Sequence, residues 1–154
     1  MMNLAYIYLE GVAVERDCAK ALAWFEKAAE NGNASAMNNI GWMYQTGDGV
    51  EPDYTKAKEW YDRAIEGGDA GAMDGMGDLY RDGLGVEQDY AKAAEWYAKA
   101  AEGGNAYGMN HLGELYRDGL GVEQSLERAR ELFAQAAELG NDDAQENLNA
   151  LGAQ

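Results

Sequence analysis

The string YRDGLGVEQ stands at residues 80–88 and again, unchanged, at 116–124, an offset of 36 residues. Working outward at that offset, Tyr8, Tyr44, Tyr80 and Tyr116 align, as do Gly11, Gly47, Gly83 and Gly119, and Val14, Val50, Val86 and Val122. Further along come Ala21, Ala57, Ala93 and Ala129; then Trp24, Trp60 and Trp96 with Leu132 in the fourth copy; then Ala28, Ala64, Ala100 and Ala136. Each copy closes on Gly32, Gly68, Gly104 or Gly140. A fixed period of this length marks a repeat architecture in which every copy is one supersecondary unit.

Within a copy two segments carry helical spacing, and the glycines fall between them. Ala72, Met73, Met76, Leu79 and Tyr80 recur at i, i+3, i+4, i+7, and Ala93, Trp96, Tyr97, Ala100 and Ala101 do so on the second segment. The spacing predicts helices over 70–82 and 89–102. Asn33, Asp69, Asn105 and Asn141 stand where the first helix needs an N-cap, and Asp17, Asp53, Asp89 and Ser125 where the second does. The Gly-x-Gly turns and closing glycines supply positive φ at helix ends. Gly77 and Ala93 are small enough to let the paired helices approach closely, and the pairs Trp24–Phe25, Trp60–Tyr61 and Trp96–Tyr97 are expected in core and inter-repeat packing. A lone hairpin cannot bury its apolar stripe, so copies must stack. The expected fold class is all-α, a right-handed α/α superhelix of helical-hairpin repeats. It forms one repeat domain over 1–154, with copies at about 1–33, 34–69, 70–105 and 106–141 and a C-terminal capping helix over 142–154 whose Ala144, Leu148 and Leu151 face the core.

Composition narrows the function. Twelve Lys and Arg against 28 Asp and Glu leave −16, which repels phosphate and anionic lipid. Neither nucleic acid nor direct membrane binding is expected. Cys18 is the only cysteine, so no disulfide framework or thiolate zinc site can form within the chain. No apolar run approaches the roughly 18 residues of a spanning helix. The N-terminal MMNLAYIYLEG lacks a basic leader region.

These residues carry a family resemblance. Met76-Gly77, Tyr80, Gly83, Gly85, Val86, Asp89, Lys92, Ala93, Trp96, Lys99, Ala100, Ala101 and Gly104 resemble the Sel-one-like repeat, a relative of the tetratricopeptide repeat, and the likeness covers essentially the whole chain. It departs at Ala13, where a turn glycine is replaced, and at Ser125 and Leu132. The resemblance implies a non-enzymatic interaction scaffold or adaptor, usually bacterial, without cofactor or metal. Cysteine-rich relatives carry one disulfide per hairpin and have been linked to β-lactam recognition; with a single cysteine this chain inherits neither expectation.

By analogy with tetratricopeptide geometry, positions 2, 5, 9 and 12 of each first helix line a concave groove. The partner-binding residues expected there are Tyr6, Asn38, Trp42, Gln45, Asp74, Asp78, Arg81, Tyr107, Asn110, Glu114 and Arg117, with Met2, Leu9, Ser35 and Gly71 at the same register. The amides and Trp42 would grip a peptide or protein segment. A carboxylate clamp is not supported, because Asn38, Asp74 and Asn110 stand where clamps present Lys and Asn. Against the binding reading stands a second one, in which Asn38 and Asn110 are solvated or bridge repeats, Met2, Tyr6 and Trp42 are where a missing preceding repeat would have packed, and Arg81 and Arg117 have Asp82 and Asp118 beside them.

Catalytic readings find less support. His111 aligns with Asn3, Asn39 and Gly75, so nothing in the architecture demands imidazole, and it is expected at the surface. Cys18 aligns with Tyr54, Tyr90 and Leu126 and is expected as a packed small hydrophobe. The Gly-x-Gly turns follow a helix rather than a strand, unlike a dinucleotide fingerprint. Asp48, Glu51 and Asp53, echoed by Asp82, Glu87 and Asp89, lack calcium-loop spacing and read as turn and capping residues. The expected partner is another protein, a basic one being favoured by the field of −16.

Met1 aligns with Met37, Met73 and Met109, three residues inside a first helix. Two readings stay open, an array that continues upstream and a frayed helix exposing Leu4, Ile7 and Tyr8. The first makes stacking through the N-terminal edge, and a structural or regulatory segment of a longer secreted or envelope repeat protein, the alternative function. The missing leader favours the cytoplasm, and an upstream continuation would favour the periplasm or secretion.

Overall fold

The computed structural model describes residues 1–12 and 14–152. Among them are nine α-helices and no strand: α1 (Met2–Glu10), α2 (Cys18–Glu30), α3 (Ala34–Thr46), α4 (Tyr54–Glu66), α5 (Ala70–Asp82), α6 (Tyr90–Glu102), α7 (Ala106–Asp118), α8 (Leu126–Glu138) and α9 (Asp142–Gly152). The helix expected over 70–82 is α5, and that expected over 89–102 is α6, which begins one residue later because Asp89 is its cap. The turn position at Ala13 lies outside the described residues.

All eight expected caps form. Asn33, Asp69, Asn105 and Asn141 accept from the backbone N–H of Ala36, Ala72, Gly108 and Ala144 at 2.7–3.0 Å. Asp17, Asp53 and Asp89 accept from Lys20, Lys56 and Lys92 at 3.0 Å, and Ser125 from Arg128 at 3.3 Å. Each satisfies a first-turn donor that has no partner within its helix. The second-helix caps also close the hairpin, since Asp17, Asp53, Asp89 and Ser125 donate their own N–H to the carbonyls of Tyr8, Tyr44, Tyr80 and Tyr116, each at 2.9 Å. The cation one turn into the second helix, Lys20, Lys56, Lys92 or Arg128, then lies 5.2–5.4 Å from the centre of that tyrosine's ring. One local geometry therefore accounts for the recurrence of the tyrosine, the cap and the cation together.

The caps make an acid-sensitive element. The carboxyls of Asp53 and Asp89 are held below the ordinary value chiefly by the backbone N–H groups of Lys56 and Lys92, and that of Asp17 chiefly by the Lys20 side chain. A depressed folded-state pKa contributes stability that is present above the unfolded value, about 3.9, and is lost as pH falls through the folded value. In Asp89→Asn the cap is kept but no longer titrates. Its melting temperature is expected to fall less than the parent's between pH 5 and pH 3, and equal falls in the two proteins would contradict this.

The chain forms two compact units, Met1–Gly75 and Met76–Gln154. In the first, Ala5, Ala21, Phe25, Ala28, Ala36, Ile40 and Met43 are buried together, and Ala57, Tyr61 and Ala64 are likewise sealed from solvent. In the second, Ala93, Tyr97, Leu112 and Leu115 form one cluster, and Ala129, Phe133, Ala136, Ala144 and Leu151 another. The close approach expected at Gly77 is filled by a ring. A Cβ on Gly77 would lie 2.4 Å from Tyr97, and one on Gly41 or Gly113 would lie 2.7 or 2.6 Å from Tyr61 or Phe133. The aromatic pairs thus divide. Phe25, Tyr61 and Tyr97 enter the core, while Trp24, Trp60 and Trp96 remain half-buried beneath Lys27, Arg63 and Lys99, 4.0–4.4 Å from the ring centres. The division follows from position, because the residue after Trp60 and after Trp96 points at a glycine of the facing helix, Gly41 and Gly77.

Candidate functional site

In the first unit the expected first-helix residues are mostly engaged. Tyr6 sits edge-on to Phe25, ring centres 5.4 Å apart, and its hydroxyl accepts from Asn39 Nδ2 at 3.0 Å. Gln45 Oε1 accepts from the Tyr61 hydroxyl at 2.5 Å. The amide nitrogen of Asn38 lies 2.7 Å from where a Gly71 Cβ would stand, so the absent side chain leaves it room, and Ser35 donates to Asp69 at 2.8 Å. Asp74 is half-buried. Trp42 differs: 41% of it is exposed, and the hydrogen bond at this residue joins its carbonyl to the Thr46 hydroxyl and leaves the indole aside. Met1, Met2, Asn3, Ala28, Asn31, Gly32 and Asn33 line a shallow open depression of about 540 Å³ at the start of α1. The Met1 side chain, unlike the cap residues of the later first helices, makes no capping hydrogen bond. Leu4, Ile7 and Tyr8 are half-buried.

The second unit holds a charged, cross-linked surface. Asp78 accepts from the Tyr97 hydroxyl at 2.7 Å and forms an ion pair with Arg81, whose Nη1 lies 2.9 Å away, while Arg81 also grips Asp82 with two bonds of 2.8 Å. These bonds raise the Arg81 pKa and lower that of Asp82, Arg81 being the chief cause for Asp82 and Asp82 the chief cause for Arg81. Arg117 repeats the pattern on Asp118 at 2.8 and 2.9 Å and adds a bond of 2.9 Å to Asn147. Asn110, expected on an open face, is only 3% exposed. Its side-chain oxygen accepts from Asn147 Nδ2 at 3.0 Å, and Glu114 accepts from the same nitrogen at 3.3 Å. The cause is α9, which brings Asn147 to α7, so Asn110 bridges helices rather than facing solvent. Tyr107 is 61% exposed.

Asn147 belongs to a position that the groove assignment passed over. Asn3, Asn39, Gly75, His111 and Asn147 share one register. Asn39 reaches back to Tyr6, Asn147 to Asn110 and Glu114, and His111 packs against Tyr97 with ring centres 5.0 Å apart and Nδ1 3.9 Å from Asp78. His111, expected at the surface, is half-buried for that reason. At Gly75 a Cβ would meet the Tyr61 ring at 2.4 Å, so here the ring fills the place that a polar side chain takes elsewhere. Polar residues recurring at a fixed offset were the available signal.

Cys18 is half-buried, donates to Asp48 Oδ1 at 3.3 Å, and lies against Gly49, whose Cβ would come within 2.2 Å of its own. Burial first, then Asp48, pushes its thiol pKa up, the reverse of what a thiolate nucleophile requires. Asp48 also takes two bonds from Arg16 at 2.6 and 2.8 Å. Among the described residues no three His, Cys, Asp or Glu side chains converge as metal ligands would, and no helix is long and apolar enough to cross a membrane.

The Sel1 repeat pattern matches residues 1–33, 34–69, 70–105 and 106–141, the same four copies counted from the period. Among solved structures the chain is similar to a Sel1 repeat protein from Oxalobacter formigenes, with 36% identity and a TM-score of 0.81 over 95% of this chain and 60% of that one. It is also similar to a protective antigen of uropathogenic Escherichia coli strains displaying an SLR fold, with 34% identity and a TM-score of 0.64 over 97% of this chain and 40% of that one. A third is cysteine rich protein B of Helicobacter pylori, with 27% identity and a TM-score of 0.67 over 90% of this chain and 99% of that one. The chain therefore spans 60% and 40% of the first two proteins' lengths. Compared with functionally curated proteins it matches none. With four matched repeats, hairpins closed alike in every copy and relatives of the same fold, the chain belongs to the Sel1 repeat family.

Proposed function

We propose that this chain is a non-enzymatic adaptor that holds a peptide or protein segment of a partner on its first-helix faces, with Trp42 as the contact of the first unit and, separately, the Arg81 and Arg117 networks as those of the second. Sel1 repeat proteins are in general protein-interaction scaffolds. The observation that carries the reading is Trp42, a large, largely apolar side chain that is 41% exposed, as an interface anchor is before its partner binds. The charge of −16 favours a basic partner and makes association salt-dependent.

The test is capture of partners on the immobilised chain beside the triple variant Trp42→Ala, Arg81→Ala, Arg117→Ala, with folding of both checked by circular dichroism. A partner bound by the parent, released several-fold faster by the variant and weakened by added salt, is the expected result. Equal retention by two folded proteins would overturn the placement of the site.

A further inference from the structure

Resting on that reading, we infer that the indole of Trp42 is a seat for a cationic side chain, so the partner segment presents an arginine or lysine to it. The inference comes from the treatment of the other tryptophans. Trp24, Trp60 and Trp96 each carry a cation of this chain over the ring, Lys27 at 4.4 Å, Arg63 at 4.0 Å and Lys99 at 4.0 Å. Trp42 is the fourth and carries none among the described residues. It is attracted to cations for the same reason as its three counterparts, the negative face of the indole.

The first unit has no cation to spare for it. Residues 1–75 contain six Lys and Arg against thirteen Asp and Glu, a formal −7. Arg16 is on Asp48, Lys20 on Asp17, Lys56 on Asp53 and Lys58 on Asp62. Lys27 and Arg63 are the two already stacked on tryptophan. An exposed indole in a field of excess carboxylate is complementary to an incoming guanidinium or ammonium group. Carboxylates would be repelled, and an uncharged apolar side chain would gain nothing from the field.

The probe is the peptide acetyl-Gly-Ser-Arg-Ser-Gly-amide, titrated into the full ¹⁵N-labelled chain while the four indole N–H signals are followed, with the citrulline peptide as an uncharged counterpart of the same shape. The expected result is a shift of the Trp42 signal at least threefold larger than that of any other tryptophan, and at least threefold weaker binding of the citrulline peptide. A cation over an exposed ring is worth about 0.5–1 kcal/mol, a ratio of that order. Equal response to both peptides would sink the cation seat while leaving a peptide groove at Trp42 standing. Equal shifts of all four indoles, or none, would overturn the inference too, and the capture experiment would then decide separately whether Trp42 anchors a partner at all.

Discussion

Phe133→Ala is expected to lower the unfolding free energy by about 3–5 kcal/mol, the range for deleting a fully buried ring. Phe133 is 0% exposed and packs among Ala129, Ala136 and Ala144, which have no length to fill the space left behind, with Met109 and Leu151 completing the cluster. On its far side stands Gly113, which has no side chain to contribute. The alanines and the glycine leave much of the hole unfilled, and residual cavity volume is what raises the cost of a large-to-small change. Urea denaturation followed by circular dichroism measures it. Leu132→Ala is the control, because Leu132 is only half-buried and should lose clearly less. Similar losses in the two variants would mean that the core position of the repeat has been assigned to the wrong residue.

Gly121→Ala is the second large effect, at about 2–5 kcal/mol. Gly121 has φ +69°, and an added Cβ would lie 2.3 Å from the carbonyl carbon of Tyr90 and 2.4 Å from the nitrogen of Ala91. The left-handed conformation costs an ordinary residue roughly 1–2 kcal/mol, and overpacking adds about 1–3 kcal/mol where the neighbour cannot yield. Backbone at the start of α6 is such a neighbour. Gly104→Ala separates the two contributions, since Gly104 has φ +80° with nothing within 4 Å of the added Cβ. It should show the conformational part alone, about 1–2 kcal/mol. If Gly104→Ala proved as damaging as Gly121→Ala, the close packing of this turn on α6 would not be what constrains it.

The period, the helix limits and the caps were legible because each depends on residues close in sequence. Asp89 can be recognised as a cap from its place before an apolar run, whatever packs on α6 later. Burial was less legible. Trp96 and Tyr97 are adjacent and similarly apolar, and only the facing Gly77 decides that the tyrosine goes inside. Asn110 reads as a groove residue until α9 delivers Asn147 to it. Tyr107 and Trp42 are 61% and 41% exposed. Burial of a first-helix residue such as Asn110 is thus settled by side chains of the helix that follows its repeat, a relation that one copy read alone does not contain.

The hairpin closures have a kinetic side. Each links a cap to a tyrosine carbonyl nine residues earlier, as Asp53 to Tyr44, and the side-chain hydrogen bonds between different repeats described above span 30–37 residues. Among the described residues these bonds reach little beyond one repeat, so little loop-closure entropy opposes any single one of them. Low contact order of this kind goes with fast folding, and in a repeat array it lets structure start at any hairpin and spread to its neighbours. The same locality confines damage. A defect in one turn weakens its own repeat and the adjoining interfaces first, and reaches the rest of the array only through them.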